Sequence, residues 1–316
     1  MSQQDEVEAL LALQEASIQR AFREFLSVFR SGPVHDVVMQ RLENGDIEGA
    51  LKIVDSHIVR LGGVLASVQL NVGTVTMEEL AGLLGPSPIA VTFNPADPRA
   101  AQILHNNQLR FVRDFSDQQR RAVQQAMNRA YLEGEGTQAT ARAFRDAIGL
   151  TPYQEQVVAN YRQLLQSRDR AALERALRDR RFDSTIASAI ERNRPLTERQ
   201  IETMTARYRA RMLAMRSETI ARTEGVRATS EAREEARAQM IEQTGIAPSR
   251  VIRIWNATRD KRTRDWHRSM NGQEQPEGQP FVDGLGNRLR WPGDPQAPGA
   301  STINCRCALT FRVSAA

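Results

Sequence analysis

The stretch PLTERQIETMTARYRARMLAMRSETIARTEGVRATSEAREEARAQMIEQTG, residues 195–245, decides the fold that this sequence predicts. Thr197 followed by Gln200 is a capping-box pattern, in which each side chain binds the backbone N–H of the other residue. Apolar residues then recur three or four positions apart, and Gly245 stands where a helix C-cap is expected. The stretch therefore predicts one long helix from about residue 197 to residue 243.

The sequence after this helix changes to short strand-like and loop-like patterns. Residues 251–255 form a β-prone run, and residues 305–313 are predicted to form a final strand. Between them, residues 271–303 are rich in Gly, Pro, Asn and Gln and contain short candidate strands around a turn. We therefore predict a small α+β domain over residues 196–316, beginning with the long helix.

The preceding region, residues 1–195, is predicted to be rich in helices. Apolar side chains between Leu11 and Phe29 fall on one stripe at helical spacing, and the stretch from Pro98 to Leu132 has no internal glycine or proline. A helical stretch from Pro33 is expected to end at Gly62-Gly63, after which the pattern changes.

A proline-rich connector predicts a break in the N-terminal region near residues 85–98. The predicted fold class is mainly α, with a long helical N-terminal region over residues 1–195 and the small α+β C-terminal domain over residues 196–316.

The charge is uneven along the 316 residues, whose net charge is +5. Residues 1–60 carry 6 basic and 10 acidic side chains, whereas residues 250–316 carry 11 basic and 6 acidic ones. Different neighbours are therefore expected for the two ends, and double-stranded DNA is a candidate partner for the basic end.

No membrane span is predicted, because no uninterrupted run reaches the roughly 18 apolar residues that a membrane helix needs. The polar, acidic start of the sequence is also unlike the basic start of a secretory signal. We expect a protein that is made and kept in a cytoplasm, or packed into something assembled there.

Four residues near the C-terminus form a candidate metal site: Asp260, His267, Cys305 and Cys307. Imidazole and thiolate ligands suit zinc, and a closed structural zinc site uses four ligands. A disulfide between Cys305 and Cys307 would be strained, because one residue separates them. The alternative is that Asp260 and His267 join a hydrogen-bonded network with Arg264 and Arg306, the thiols being small buried apolar groups.

Catalysis is not predicted from these residues, and no catalytic residue is assigned. A histidine near an aspartate and a cysteine superficially resembles a phosphodiester-cleaving or nucleophilic set, but a single His267 without paired carboxylates is poor support for a nuclease. Arg222 and Glu224 could belong to an NAD-using transferase, but three residues on one helix are too few to indicate that chemistry.

Five sequence elements occur together in a specific order between residues 195 and 313. They are Ala-Arg-Thr-Glu, a β-run ending in Trp, Thr-x-Asp-x-x-Thr-Arg-x-x-His, a glycine-containing loop, and Asn-Cys-Arg-Cys. This order resembles the head-morphogenesis domain of phage Mu F-like minor head proteins. The residues that carry the resemblance are Arg222, Thr223, Glu224, Trp255, Asp260, Thr263, Arg264, His267, Gly272, Asn304, Cys305, Arg306 and Cys307.

One departure from the family pattern concerns metal binding. The family usually has a histidine just before Asn-Cys-Arg-Cys, whereas here residues 298–303 contain none. The structural polar network implied by the signature comprises Arg222, Thr223, Glu224, Asp260, Thr263, Arg264, His267, Asn304 and Arg306. No cofactor is predicted apart from the candidate zinc ion.

The resemblance implies a minor head protein of a tailed bacteriophage that lies inside the capsid near the portal and assists assembly, DNA packaging or DNA ejection. The implied partners are the portal protein and a capsid or scaffolding protein, with host cytoplasm as the site of assembly. Two alternatives stay open: a DNA-binding internal virion protein, and a toxin-like or nuclease enzyme built on the C-terminal domain. An appended toxin is not expected, because the sequence continues only six residues beyond Thr310.

Overall fold

A computed structural model describes residues 2–85, 89–132 and 136–314 of the chain. It is 69% helical with a small C-terminal sheet region, so the predicted mainly α fold class is confirmed. The α-helices are α1 (Gln3–Val28), α2 (Pro33–Glu43), α3 (Ile47–Leu84), α4 (Pro98–Leu132), α5 (Thr137–Ala147), α6 (Pro152–Ser167), α7 (Asp183–Glu191), α8 (Glu198–Thr244), α9 (Asp265–Arg268) and α10 (Gly299–Thr302). The strands are β1 (Val251–Asn256), β2 (Glu274–Gln275), β3 (Phe281–Val282), β4 (Arg288–Leu289) and β5 (Ala308–Val313).

The strands form two small antiparallel sheets. One sheet has the order β2-β1-β5, and β3 pairs with β4 in the other. Val251 pairs with Val313 at one end of the β1–β5 ladder, and Asn256 pairs with Ala308 at the other. Because the strands are antiparallel, the residues that follow β1 and those that precede β5 lie at the same end of this sheet.

The long helix α8 begins and ends where the sequence predicts. Gln200 donates its backbone N–H to Thr197 Oγ1 (3.3 Å), and Thr197 donates its own to Gln200 Oε1 (2.8 Å), which completes the capping box. At the other end Gly245 adopts φ 66° and donates its N–H to Ile241 O (2.9 Å). Glycine suits this position because a Cβ disfavours positive φ.

The chain divides into two compact units, each built from several stretches of sequence. The first contains Met1–Phe22, Val59–Val112 and Glu218–Ala316, and the second contains Arg23–Ile58 and Arg113–Ser217. These boundaries fall inside long helices rather than in linkers. The sequence analysis instead divides the chain at residue 195 into a helix-rich region and a C-terminal domain, and that division stays a prediction.

The first unit has a hydrophobic core in which the sheet packs among helices. Trp255 on β1 and Phe311 on β5 are buried beside Met77 and Met240, from α3 and α8. The rings of Trp255 and Phe281 meet edge to face with centroids 5.3 Å apart. Cys305 and Cys307 belong to the same buried cluster, so the candidate metal ligands lie at the edge of this core.

An extended segment between α3 and α4 is held along α8 by two glutamine side chains. Gln239 bonds both backbone groups of Asn94, at 2.8 and 3.0 Å, and Gln243 does the same for Thr92, at 2.9 and 2.8 Å. Residues 90–93 are non-helical, which agrees with the predicted connector; residues 86–88, including its first prolines, lie outside the described residues.

The second unit is helical and packs aromatic rings in its interior. The rings of Tyr161 and Tyr208 are stacked with centroids 4.3 Å apart, and Phe25 meets Phe115 edge to face at 5.7 Å. Gln119 is almost fully buried; its side chain donates to Ala147 O (2.9 Å) and accepts from the backbone N–H of residue 149 (2.7 Å).

Two predicted boundaries are wrong. The helix expected to end at Gly62-Gly63 continues to Leu84. Gly62 does not end the helix but allows α4 to pack closely against it, since a Cβ at this position would lie 2.9 Å from Val112 Cγ2. The last strand begins at Ala308 rather than Cys305, because the backbone pairing with β1 ends at Ala308 and does not include residues 305–307.

By length and composition alone, helix α3 is long and apolar enough to cross a membrane. A search for uninterrupted apolar runs does not detect this helix, because Gly, Ser and Thr are mixed into its apolar window. Within that window 44% of the residues are buried, and the core helix of a water-soluble protein gives the same signal.

Candidate functional site

The sheet and α8 position the three signature segments of the C-terminal region. The loop after β1 leads into α9, which carries His267, and the segment before β5 carries Asn304, Cys305, Arg306 and Cys307. These two segments leave the same end of the β1–β5 ladder. Side chains 38 to 40 positions apart in sequence therefore meet there.

His267, Cys305 and Cys307 form a buried cluster. Each of them is at most 2% exposed, and their potential metal-ligand atoms all lie within 4.8 Å of one another. His267 Nδ1 is 3.7 Å from Cys305 Sγ and 3.4 Å from Cys307 Sγ. Three of the four residues predicted as metal ligands thus converge.

The two thiols differ in acidity although they are neighbours. Hydrogen bonds from Cys307 and His267 hold the pKa of the Cys305 thiol well below its ordinary value, against the effect of burial. The hydrogen bond with Cys305 and burial together raise the pKa of the Cys307 thiol. The backbone N–H of Cys307 also donates to Cys305 Sγ (3.4 Å), which favours negative charge on that sulfur.

Asp260, the fourth predicted ligand, lies outside this cluster. Its carboxylate forms a two-point ion pair with Arg306, in which Nη2 and Oδ1 are 2.6 Å apart. It also accepts the backbone N–H groups of Arg262 (2.8 Å) and Thr263 (3.1 Å). The Arg306 guanidinium holds the pKa of the Asp260 carboxyl far below its ordinary value. Asp260 therefore shapes the loop after β1, and the four-ligand prediction needs correction at this residue.

Two further signature residues form hydrogen bonds in this loop. One of them reaches the segment before β5, and the other bonds within the loop. Arg264 donates a hydrogen bond to the carbonyl of Ile303, and Thr263 donates its hydroxyl to the carbonyl of Thr258. Thr258 in turn donates to the carbonyl of Arg306 (2.6 Å). The loop is thus connected to the Asn-Cys-Arg-Cys segment by backbone acceptors as well as by the ion pair.

The Arg-Thr-Glu segment of α8 holds the start of the Asn-Cys-Arg-Cys segment. Thr223 Oγ1 accepts the backbone N–H of Asn304 (3.1 Å), and Arg222 donates to Asn304 Oδ1 (3.4 Å). Asn304 adopts φ 57°, a left-handed conformation that asparagine tolerates better than most residues. Arg222 also lies 3.7 Å from Glu15 Oε1 of α1.

Glu224 does not join the other signature residues. Its carboxylate bonds Arg227 at 2.9 and 3.0 Å and lies 3.6 Å from Arg110 on α4. Arg227 in turn donates to the carbonyl of Gly293 (3.2 Å). The predicted polar network is therefore not one connected set: Glu224 acts through Arg227 on the loop around residue 293, and the imidazole of His267 faces the two cysteines.

Two buried arginines that the sequence analysis missed organise the same unit. Arg233 is 1% exposed; it pairs with Glu79 (2.7 Å) and donates to Leu309 O (2.9 Å). Arg253 on β1 is 4% exposed and donates to the carbonyls of Arg290 and Pro276, both at 3.0 Å. No local pattern distinguishes them from the many solvated arginines, since their burial depends on packing between distant elements.

A shallow depression of about 520 Å3 lies beside the loop after β1. Its rim carries three exposed basic side chains, Arg259, Lys261 and Arg268, together with Asp260 and Asn271. Exposed basic groups around one depression can contact phosphate oxygens.

Comparison with known proteins agrees with the resemblance in the sequence. Residues 180–310 match the family described as Phage Mu protein F like protein, and this range contains every signature residue discussed above. No curated protein and no solved structure shows significant similarity to the chain. Residues 180–310 of the chain are therefore similar to the phage Mu protein F like family, which suggests a head-morphogenesis protein of a bacteriophage.

Proposed function

We propose that this chain is a minor head protein that associates with the portal inside the capsid and assists head assembly, DNA packaging or DNA ejection. The observation that carries the proposal is the match of residues 180–310 to the phage Mu protein F like family. A capsid or scaffolding protein is a second proposed partner, and the capsid interior near the portal is the proposed location.

The contacts of the signature residues favour a structural role for them. Asp260 pairs with Arg306, Thr223 binds Asn304, and Glu224 pairs with Arg227. Each of these groups is engaged by another group of the same unit, which favours a structural role over one in which they face a substrate. The matched family is a structural one, which also disfavours the alternative of a toxin-like enzyme or a nuclease.

The runner-up function is binding of double-stranded DNA inside the virion. The specific observation in its favour is the depression rimmed by Arg259, Lys261 and Arg268. Phosphate contacts of this kind give sequence-independent binding that weakens strongly with added salt. Portal association and DNA binding are compatible in one head protein, so this second function would add DNA as a ligand of the proposed minor head protein.

Portal association is tested by co-expression of the chain with the portal protein of the same phage, carrying an affinity tag on the portal only. We expect the chain to co-elute with assembled portal through size-exclusion chromatography. The portal protein of an unrelated phage is the matched control and should not retain the chain. If both proteins are folded and the chain elutes separately even at low salt, the portal proposal is wrong.

A further inference from the structure

The cluster of His267, Cys305 and Cys307 has the composition and the spacing of a metal site. In a tetrahedral zinc site with Zn–S about 2.3 Å and Zn–N about 2.05 Å, the nitrogen and sulfur ligands are about 3.6 Å apart. The Nδ1–Sγ distances of 3.4 and 3.7 Å lie on either side of that value. The three donor atoms, which all lie within 4.8 Å of one another, are therefore close enough together to share one ion.

The chemistry of the three donors selects among metals. Thiolate ligands favour zinc, copper(I) and iron–sulfur centres, and imidazole favours zinc, copper, iron and nickel. Zinc suits two thiolates and one imidazole in a tetrahedral arrangement. Calcium and magnesium are disfavoured because they prefer oxygen ligands, and the nearby carboxylate of Asp260 is engaged by Arg306.

The surroundings of the cluster also favour a bound cation. Nδ1 is the ring nitrogen of His267 that faces the two sulfurs, and Nε2 is buried with no hydrogen-bond partner among the residues that the structure describes. Cys305 Sγ receives the backbone N–H of Cys307, a contact that stabilises a thiolate. The buried indole of Trp255 meets the imidazole edge to face, with ring centroids 6.0 Å apart.

We propose that His267, Cys305 and Cys307 bind one zinc ion, which fastens the turn after β1 to the segment before β5. The described residues supply no fourth donor within this cluster, so a water molecule completes the tetrahedron. The ion joins His267 to Cys305, which are 38 residues apart in sequence. The residues between them include the strands β2, β3 and β4 and their loops, so the ion closes this part of the chain into a loop. Binding to the folded state alone stabilises that state. This proposal does not depend on the proposed role at the portal.

The test measures metal in the full chain after purification under reducing conditions, with any affinity tag removed and no chelator present. Mass spectrometry of the metals is expected to find one zinc per chain. His267→Asn and the double variant Cys305→Ser, Cys307→Ser should lose the zinc. His105→Asn removes an exposed histidine from α4, and Asp260→Asn removes the carboxylate outside the cluster; both should keep it.

Cobalt(II) supplies a second measurement that does not require folded variants. When the zinc of the wild-type chain is replaced, intense visible bands of tetrahedral cobalt and a thiolate-to-cobalt band in the near ultraviolet are expected. Chelation should also lower the midpoint of thermal unfolding, and added zinc should restore it. A metal-free wild-type chain that gives only the spectrum of aqueous cobalt overturns the proposal, as does stoichiometric copper or iron in place of zinc.

Discussion

The hydroxyl of Thr223, near the middle of α8, accepts the backbone N–H of Asn304 at 3.1 Å. These residues are 81 positions apart, and each lies in one of the signatures by which the sequence resembles phage Mu F-like proteins. The contact explains in physical terms why two distant motifs occur together. One of them supplies the acceptor that fixes the backbone from which Cys305 and Cys307 project.

Substitution of Thr223 by valine should destabilise the first unit. Valine has nearly the shape of threonine but no hydroxyl, so the N–H of Asn304 loses its protein partner, at a cost of about 0.5–1.5 kcal/mol for this partly buried bond. Thr203→Val, at an exposed position on the same helix, is the matched control and should change the stability by less than about 0.5 kcal/mol. Urea denaturation of both variants measures the difference, and equal effects of the two would contradict the role assigned to Thr223.

The ion pair of Asp260 with Arg306 should give a stability contribution that disappears in acid. Because Arg306 depresses the pKa of Asp260 in the folded state, the contribution is fully present above the unfolded value near 3.8 and is lost as the pH falls towards the folded value. Asp260→Asn should therefore lower the melting temperature at neutral pH, with the gap to wild type closing below about pH 4.

The control for that experiment is Asp265→Asn, since the Asp265 side chain is 88% exposed although it also pairs with an arginine. Its melting temperature should follow that of wild type across the pH range, because exposed ion pairs contribute little. An Asp260→Asn gap that stays constant down to acid pH would show that the effect comes from lost backbone hydrogen bonds, not from the charge.

Glu231 on α8 should give the opposite pH dependence. Burial raises the pKa of this carboxyl to about 7, although Asn107 and Arg110 act against the shift. Ionisation of Glu231 therefore costs stability as the pH rises from the unfolded value near 4.5 to about 7, and the cost is absent below that range.

The stability of Glu231→Gln relative to wild type should consequently improve by about 2–3 kcal/mol between about pH 5 and pH 8. Glu242→Gln, near the end of the same helix, is the control. Arg99 lowers the pKa of the Glu242 carboxyl, so the ionised carboxylate is the form that favours the folded state. The stability of Glu242→Gln relative to wild type should therefore not improve as the pH rises. Parallel pH profiles for the two variants would be evidence against a buried neutral Glu231.

Removal of the basic groups around the depression should weaken DNA binding if the runner-up function is correct. Changing Arg259, Lys261 and Arg268 to glutamine should reduce affinity for double-stranded DNA, and the slope of log affinity against log salt should fall by roughly 0.9 per lost phosphate contact. The same substitution of the exposed Arg192, Arg194 and Arg199 removes equal charge elsewhere and should have a smaller effect. Equal losses would indicate only a general charge effect.

Local patterns in the sequence predicted much of the fold but less of the site. The capping box at Thr197 and the glycine at 245 mark the two ends of α8 because the cap interactions are local. The glycine pair at 62 and 63 misled the prediction, since a glycine chosen for close helix packing and one that ends a helix look alike in sequence. The same limitation hid Arg233, whose burial depends on α3, α8 and β5 together.

The arrangement of the candidate site was only partly predictable from the sequence. Residue types alone suggested four metal ligands and one connected polar network. The structure brings His267, Cys305 and Cys307 together, assigns Asp260 to Arg306, and separates Glu224 from the rest. These distinctions depend on side-chain direction at the end of the β1–β5 ladder, which spacing in the sequence does not specify.

The central claim is that the chain is a component of the phage head. Quantitative mass spectrometry of purified, DNA-filled particles of the phage that encodes it tests this most directly, with empty heads and tails separated as reference fractions. We predict that the chain is present in the head fraction in few copies, in a constant ratio to the portal protein. Its absence from heads at every stage of assembly, while portal and capsid proteins are detected, would contradict the account.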